Sequence, residues 1–196
     1  APSTAPAAPA PRRPGKQIRL RLANVRCTAF TLNHVRVQQL ELTATEMYLP
    51  LQAILHGQFQ ITAAASVTGT VQLRQDDLTA YLSTRELPIT HPTLTLAPDA
   101  CRLKGNSRTL IPMPIQLSGT LAARDGAVLY LDNPRLRVSV IPVPGIIADR
   151  VLRDLNPLGD LNAEFKLPAP LRITRTTMQE GMLILEGALL FPAPEP

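Results

Sequence analysis

The sequence predicts an α+β fold in which a curved antiparallel meander sheet wraps short helices. Three observations carry this reading. Apolar and polar residues alternate with a period of two over most of the chain, the mark of half-buried strands. Two such stretches, PIQLSGTLAARDGAVLYLDN and LPAPLRITRTTMQEGMLILEGALL, turn back at Asp125-Gly126 and Glu180-Gly181, dipeptides suited to tight hairpins. Between them PVPGIIADRVLRDLNPL has helical spacing and one apolar side. Strands and helices do not alternate as β-α-β units, which argues against a parallel doubly wound sheet.

Residues 1–15, APSTAPAAPAPRRPG, hold almost no side chain large enough to bury and read as a disordered Ala/Pro-rich tether. A single domain is expected over 16–191, with a disordered tail at 192–196. From Lys16 to Arg26, Ile18, Leu20 and Leu22 share one face and Arg19 and Arg21 the other, as in a strand with a cationic outer face. Phe30 and Leu32 start a second strand. In HVRVQQLELTATEMYL the apolar phase slips at Gln38-Gln39, which implies a bulge. PLQAILHG then fits a helix of about two turns, with Pro50 at its first position and Gly57 at its end. Extended chain returns with Phe59, Ile61 and Ala63, then Val71 and Leu73, and the small Ala63, Ala64, Ala65 and Gly69 leave room against the sheet. QDDLTAYL is a second short helix, capped by Asp76 or Asp77, with Leu78 and Leu82 four apart. A hairpin about Pro98-Asp99 occupies Thr93 to Ser107, and the three hairpins read as similar meander units. In the third helix Ile147, Val151 and Leu155 are four apart, Ile146 and Leu152 flank them, and Asn156-Pro157 stops the run.

Length permits one domain with a substantial core, at 196 residues. Aromatic residues are only 4% and Trp is absent, so Leu, Ile, Val and Ala must build that core. The net charge of +5 favours anionic partners, and equally keeps a protein soluble. Cys27 and Cys101 are the only cysteines and cannot form a metal site by themselves; pairing and separate burial both fit their spacing. The chain begins at Ala1, and an Ala/Pro tether ahead of a domain is the pattern left after a secretory signal or anchor, so export to the cell envelope or periplasm is expected. The most apolar run, Val138 to Ala148, carries Pro142 and Pro144 and falls short of the roughly 20 residues a membrane span needs.

The sequence carries no sign of catalysis. There is no phosphate-binding glycine loop, no GxGxxG, no GxSxG elbow and no His-Glu-x-x-His. His34, His56 and His91 share no ligand spacing and read as surface or strand-end residues. Asp76-Asp77 is explained by capping, and Asp125 and Glu180 by their turns. Scattered Phe and Tyr supply no stacking platform, and no Lys/Arg-rich helix fits a groove, so nucleic acid is not an expected partner. No metal, cofactor or enzymatic activity is assigned.

An apolar ligand fits more of the pattern. The inferred groove is lined by Leu51, Ile54, Leu55, Leu78, Leu82, Ile146, Ile147, Val151 and Leu155, with Arg19, Arg21, Arg150 and Arg153 as candidates for a phosphate headgroup. Periodicity alone does not separate such a groove from a closed core. The competing reading is a closed structural domain that binds an envelope protein or an acidic polymer through its basic face.

Five blocks in order then carry a resemblance: RLRLANVRC…VQQLELTATEMYLPLQAILHG, GTVQLRQDDLTAYL, PIQLSGTLAARDGAVLYLDNPRLRV, PVPGIIADRVLRDLNPL and LPAPLRITRTTMQEGMLILEGAL. Together, over about Ile18 to Leu190, they resemble the LmeA-like phospholipid-binding family of bacterial cell-envelope proteins. The resemblance implies a tubular lipid-binding-like fold, a curved sheet around a helix with an apolar groove. It also implies an exported or membrane-anchored protein that binds phospholipid and serves envelope assembly or lipid transfer; contact with a membrane surface is expected besides. It brings no residue-level ligand set.

Overall fold

The computed structural model describes residues 16–56, 58, 60–108, 113–138, 153 and 156–194. Its first two strands, β1 (Gln17–Leu32) and β2 (Val35–Pro50), are 16 residues each and pair antiparallel from Gln17–Pro50 to Leu32–Val35. Asn33 and His34 join them with φ of 43° and 73°, the doubly left-handed backbone of a tight hairpin turn. A helix α1 (Leu51–Leu55) follows, then β3 (Ala63–Arg74), α2 (Gln75–Thr84), β4 (Ile89–Leu96), β5 (Cys101–Ser107), β6 (Pro114–Arg124) and β7 (Val128–Val138). The chain closes with β8 (Gly159–Asp160), α3 (Leu161–Phe165), β9 (Leu171–Gln179) and β10 (Met182–Leu189).

These strands form two five-stranded antiparallel sheets, ordered β1-β2-β3-β10-β9 and β4-β5-β6-β7-β8. The fold is α+β, as the alternation predicts. The second sheet is a meander in chain order; the first is completed by the C-terminal hairpin, which pairs back onto β3. The three expected hairpins are present at Leu96–Cys101, Arg124–Val128 and Gln179–Met182. They are not equivalent units, because the first two belong to the second sheet and the last to the first. The expected helix Pro144–Leu155 lies outside the described residues apart from Arg153, which is helical and exposed.

β1 is one strand where a break was expected near residue 29. The apolar face moves by one residue between Cys27 and Phe30 and again between Leu20 and Ala23, and β2 makes the matching steps between Val37 and Leu40 and between Ala44 and Met47. Left-handed residues sit at both places, Ala29 at φ 52° and Glu46 at φ 49°, while the pairing register runs through unbroken. The phase slip at Gln38-Gln39 is therefore a paired step in both strands. It adds no residue to one strand alone.

One buried cluster spans both sheets and two helices, with Val37, Leu73 and Leu183 from the first sheet, Leu96, Leu103, Leu117 and Leu131 from the second, Leu82 from α2 and Phe165 from α3. A smaller cluster of Ala44, Met47, Ala64 and Val67 lies towards the α1 end of the first sheet, with Leu20 and Phe191 packed on it. Backbone bonds tie the sheets at two corners. The Gln75 amide donates to the Gly181 carbonyl at 3.0 Å, and the Gly181 amide to that of Leu96 at 3.0 Å. At the other corner the Ile173 amide donates to the Gly126 carbonyl at 2.7 Å and the Leu161 amide to that of Ala127 at 3.1 Å. The carbonyl of Pro192 accepts from Ala64 at 3.2 Å, so ordered backbone pairing continues past β10.

The helices differ in detail from expectation. Asp76 and Asp77 lie in the first turn of α2, but Arg74 is its N-cap and no side chain caps it. Their carboxylates instead favour the positive end of the helix dipole. Pro50 precedes α1 as its N-cap, and His56 ends it; Gly57 and Phe59 lie outside the described residues. Among the described residues no helix is long and apolar enough to cross a membrane.

Candidate functional site

Two apolar cavities share a wall. The first lies between the sheets, beneath α2 and α3, against Val35, Leu73 and Leu183 on one side and Leu94, Leu121 and Leu131 on the other. Leu78, Tyr81 and Leu82 of α2 close it from above. The second runs along the inner face of the first sheet, over Leu32, Val37, Leu40, Leu42 and Val71, with Leu167, Leu171 and Ile173 opposite. Leu161 and Phe165 line both cavities, and each is 7% exposed. With the open solvent at their mouths included, the space not filled by atoms is about 740 and 700 Å³.

The dividing wall is a five-residue helix, too short to be stable by itself. Polar bonds fix it. The Asp160 carboxylate accepts from the Asn162 and Ala163 amides at 2.9 and 3.4 Å, a side-chain N-cap. Lys166 closes the other end in left-handed geometry, φ 47°. The Asn162 side chain accepts from the Leu171 amide at 2.6 Å and donates to the Leu171 carbonyl at 3.2 Å, as another strand would. On the far side Glu164 pairs with Arg85, whose guanidinium also donates to the Tyr81 hydroxyl at 2.6 Å. Asn33, from the β1–β2 turn, donates to the Glu164 carbonyl at 2.8 Å.

The electrostatics at this wall are self-contained. Burial raises the Tyr81 pKa and the Arg85 hydrogen bond opposes it, while the Tyr81 hydrogen bond raises that of Arg85. Tyr81 is thus a neutral phenol and Arg85 a cation at neutral pH. Among the described residues neither lining contains a Lys or Arg, and the carboxylates are Glu164 in the first and Glu186 in the second. The nucleophilic atom in the first lining is the Cys101 thiol, pushed up to about 12 by burial, so it is protonated and unreactive near neutrality. Among the described residues no group of His, Cys, Asp and Glu could hold a metal ion. Burial of an apolar solute is what these walls are suited to do.

The expected site residues fall in several places. Leu78 and Leu82 line the first cavity. Leu51, Ile54 and Leu55 lie on α1 at the other end of the first sheet and line neither cavity; Leu55 is 68% exposed. Ile146, Ile147, Arg150, Val151 and Leu155 lie outside the described residues, and the exposed Arg153 lines neither cavity. Arg19 and Arg21 occupy the outward positions of β1, where Arg19 pairs with Glu46, raising the pKa of the arginine and lowering that of the carboxylate. His34, His56 and His91 are all exposed. Cys27 and Cys101 are free thiols.

Sequence reasoning missed the wall itself. Its signal was present, in a capping aspartate at 160 followed by Leu161 and Phe165 four apart. Of the small residues expected to leave room, Gly69 lines the second cavity. A Cβ on Gly69 would lie 2.4 Å from a Leu42 methyl and 2.5 Å from the Glu41 carbonyl, so this glycine permits close approach of β2. Ala64 is buried in the small cluster.

Comparison with known proteins gives one finding of substance. A family model described as LmeA-like phospholipid-binding matches residues 15–188. No curated protein and no solved structure matches the chain.

Proposed function

The chain belongs to the LmeA-like phospholipid-binding family, and from that premise we propose that it holds phospholipid acyl chain in the cavities on either side of Leu161 and Phe165, without catalysis. The observation that supports this reading is the near-absence of polar groups from two adjoining cavities that meet at those two residues. The headgroup stays in water at a cavity mouth, since among the described residues neither lining supplies a cation to draw it in. Ten buried methylenes would contribute about 8 kcal/mol before the cost of ordering the ligand. In this reading the protein carries or transfers lipid in the bacterial cell envelope or periplasm.

Solvent extraction and mass spectrometry of the purified protein should find bound phospholipid, and the delipidated protein should take up a fluorescent phospholipid. Leu78→Trp and Val71→Trp place extra bulk at partly exposed lining positions, at a stability cost of about 1–3 kcal/mol. Each should lower uptake at least fivefold while the protein stays folded. Absence of lipid together with absence of uptake overturns the proposal. Movement of labelled lipid between vesicles, and fractionation of cells, address the transfer and location.

A further inference from the structure

The outer face of the second sheet carries a set of cations that form no ion pair among the described residues. Its register places Thr93, Lys104, Gln116 and Arg137 in one row across β4 to β7, and Thr95, Arg102, Ser118 and Arg135 in the next. Arg102, Lys104, Arg135 and Arg137 are all exposed. At ordinary strand spacing they form a quartet about 10 Å by 7 Å. No carboxylate stands in either row. Among the described residues the nearest on this face, Asp132, is held by Arg124 at 2.6 Å, and Asp99 lies beyond the row in the β4–β5 turn.

Elsewhere the pattern is different. The ion pairs among the described residues use Arg19, Arg26, Arg85 and Arg124, and none uses a member of the quartet. Four charges in one patch compare with a net charge of +5 for the whole chain. The row neighbours are Thr, Ser and Gln, short donors and acceptors suited to phosphate oxygens. Single-stranded nucleic acid would require aromatic platforms, and the tyrosine nearest in register, Tyr130, already lies under Arg124 at 5.5 Å. Among the described residues no helix stands on this face to enter a duplex groove.

We infer that this face docks on the surface of a bilayer containing anionic phospholipid, with Arg102, Lys104, Arg135 and Arg137 against the headgroup phosphates. The inference rests on the phospholipid-binding reading for its choice of polyanion, but it concerns a surface distinct from the cavities. Each cation held near an anionic leaflet strengthens partitioning by about fivefold, and salt weakens the effect within a Debye length.

Sedimentation with vesicles of equal parts phosphatidylglycerol and phosphatidylcholine, and with phosphatidylcholine alone, tests this. The wild-type chain should bind the first, release with added salt, and ignore the second. Neutralising all four positions to Gln should weaken binding on the order of a hundredfold or more, and the double variant Arg102→Gln/Lys104→Gln by about 25-fold. Arg172→Gln/Arg175→Gln, exposed on β9 of the other sheet, should change it little. Uptake of fluorescent lipid from detergent should be unaltered in every variant, so loss of vesicle binding with retained uptake supports docking whatever the fate of transfer. Failure of uptake in the wild type would strike the cavity reading and leave the vesicle result to be judged alone. The docking proposal is overturned if the quadruple variant sediments like the wild type, or if wild-type binding ignores phosphatidylglycerol. Binding to a single-stranded oligonucleotide or an anionic polysaccharide tighter than to vesicles also overturns it.

Discussion

Cys101 is 1% exposed where it lines the first cavity, and desolvation of the thiolate raises its pKa from 9.0 to about 12. Below about pH 9 the thiol is neutral in both the folded and the unfolded chain and contributes nothing to pH dependence. Above it the unfolded thiol ionises and the folded one does not, so stability falls as pH rises from 9.0 towards 12. Thermal melts across that range should show the decline, and a shallower one in Cys101→Ala. In native protein a thiol reagent should label half-buried Cys27 alone, with Cys101 following only on unfolding; rapid labelling of both would contradict this. Much at this scale was legible in the sequence, including the turn at Asp125-Gly126, where φ is 50° and 90°, and exposed histidines. The left-handed turn at Asn33-His34 was not, because histidine there gives no local signal comparable to glycine.

Element by element, periodicity located the strands well and failed where polar side chains replace it. α3 buries two residues, Leu161 and Phe165, too few for a hydrophobic period to register. Its position depends on Asn162, which imitates a strand by bonding both backbone groups of Leu171. Asn162→Ala should cost about 1–3 kcal/mol, because the Leu171 amide and carbonyl lose their partner in a partly buried place. Denaturant melts would measure that loss, and Asp160→Ala should cost about 1 kcal/mol through the lost cap. If the wall shapes both cavities, the first variant should also weaken lipid uptake. Neither α2 nor the sheets supply a substitute for it.

At the scale of the molecule, the two sheets share one buried cluster and exchange backbone bonds at two corners. Leu117→Ala in one sheet and Leu183→Ala in the other should therefore lower a single cooperative transition, each by about 2–5 kcal/mol. Separate transitions seen by hydrogen exchange, one sheet opening without the other, would refute this. The division into two sheets was hidden from the sequence, since every hairpin alternates alike and only long-range register assigns β9 and β10 to the first. The existence of an apolar interior was legible; the placing of its wall was not. The paired steps in β1 and β2 have a consequence of their own. Loss of Ala29 alone would leave Gln38 with no residue opposite it and offset the pairing beyond by one residue, whereas loss of Ala29 with Gln38, which fills the matching gap in the register, would keep both the register and the inward set on a flatter ribbon. Over evolutionary time this hairpin can shorten or lengthen at those positions only by matched indels, one in each strand.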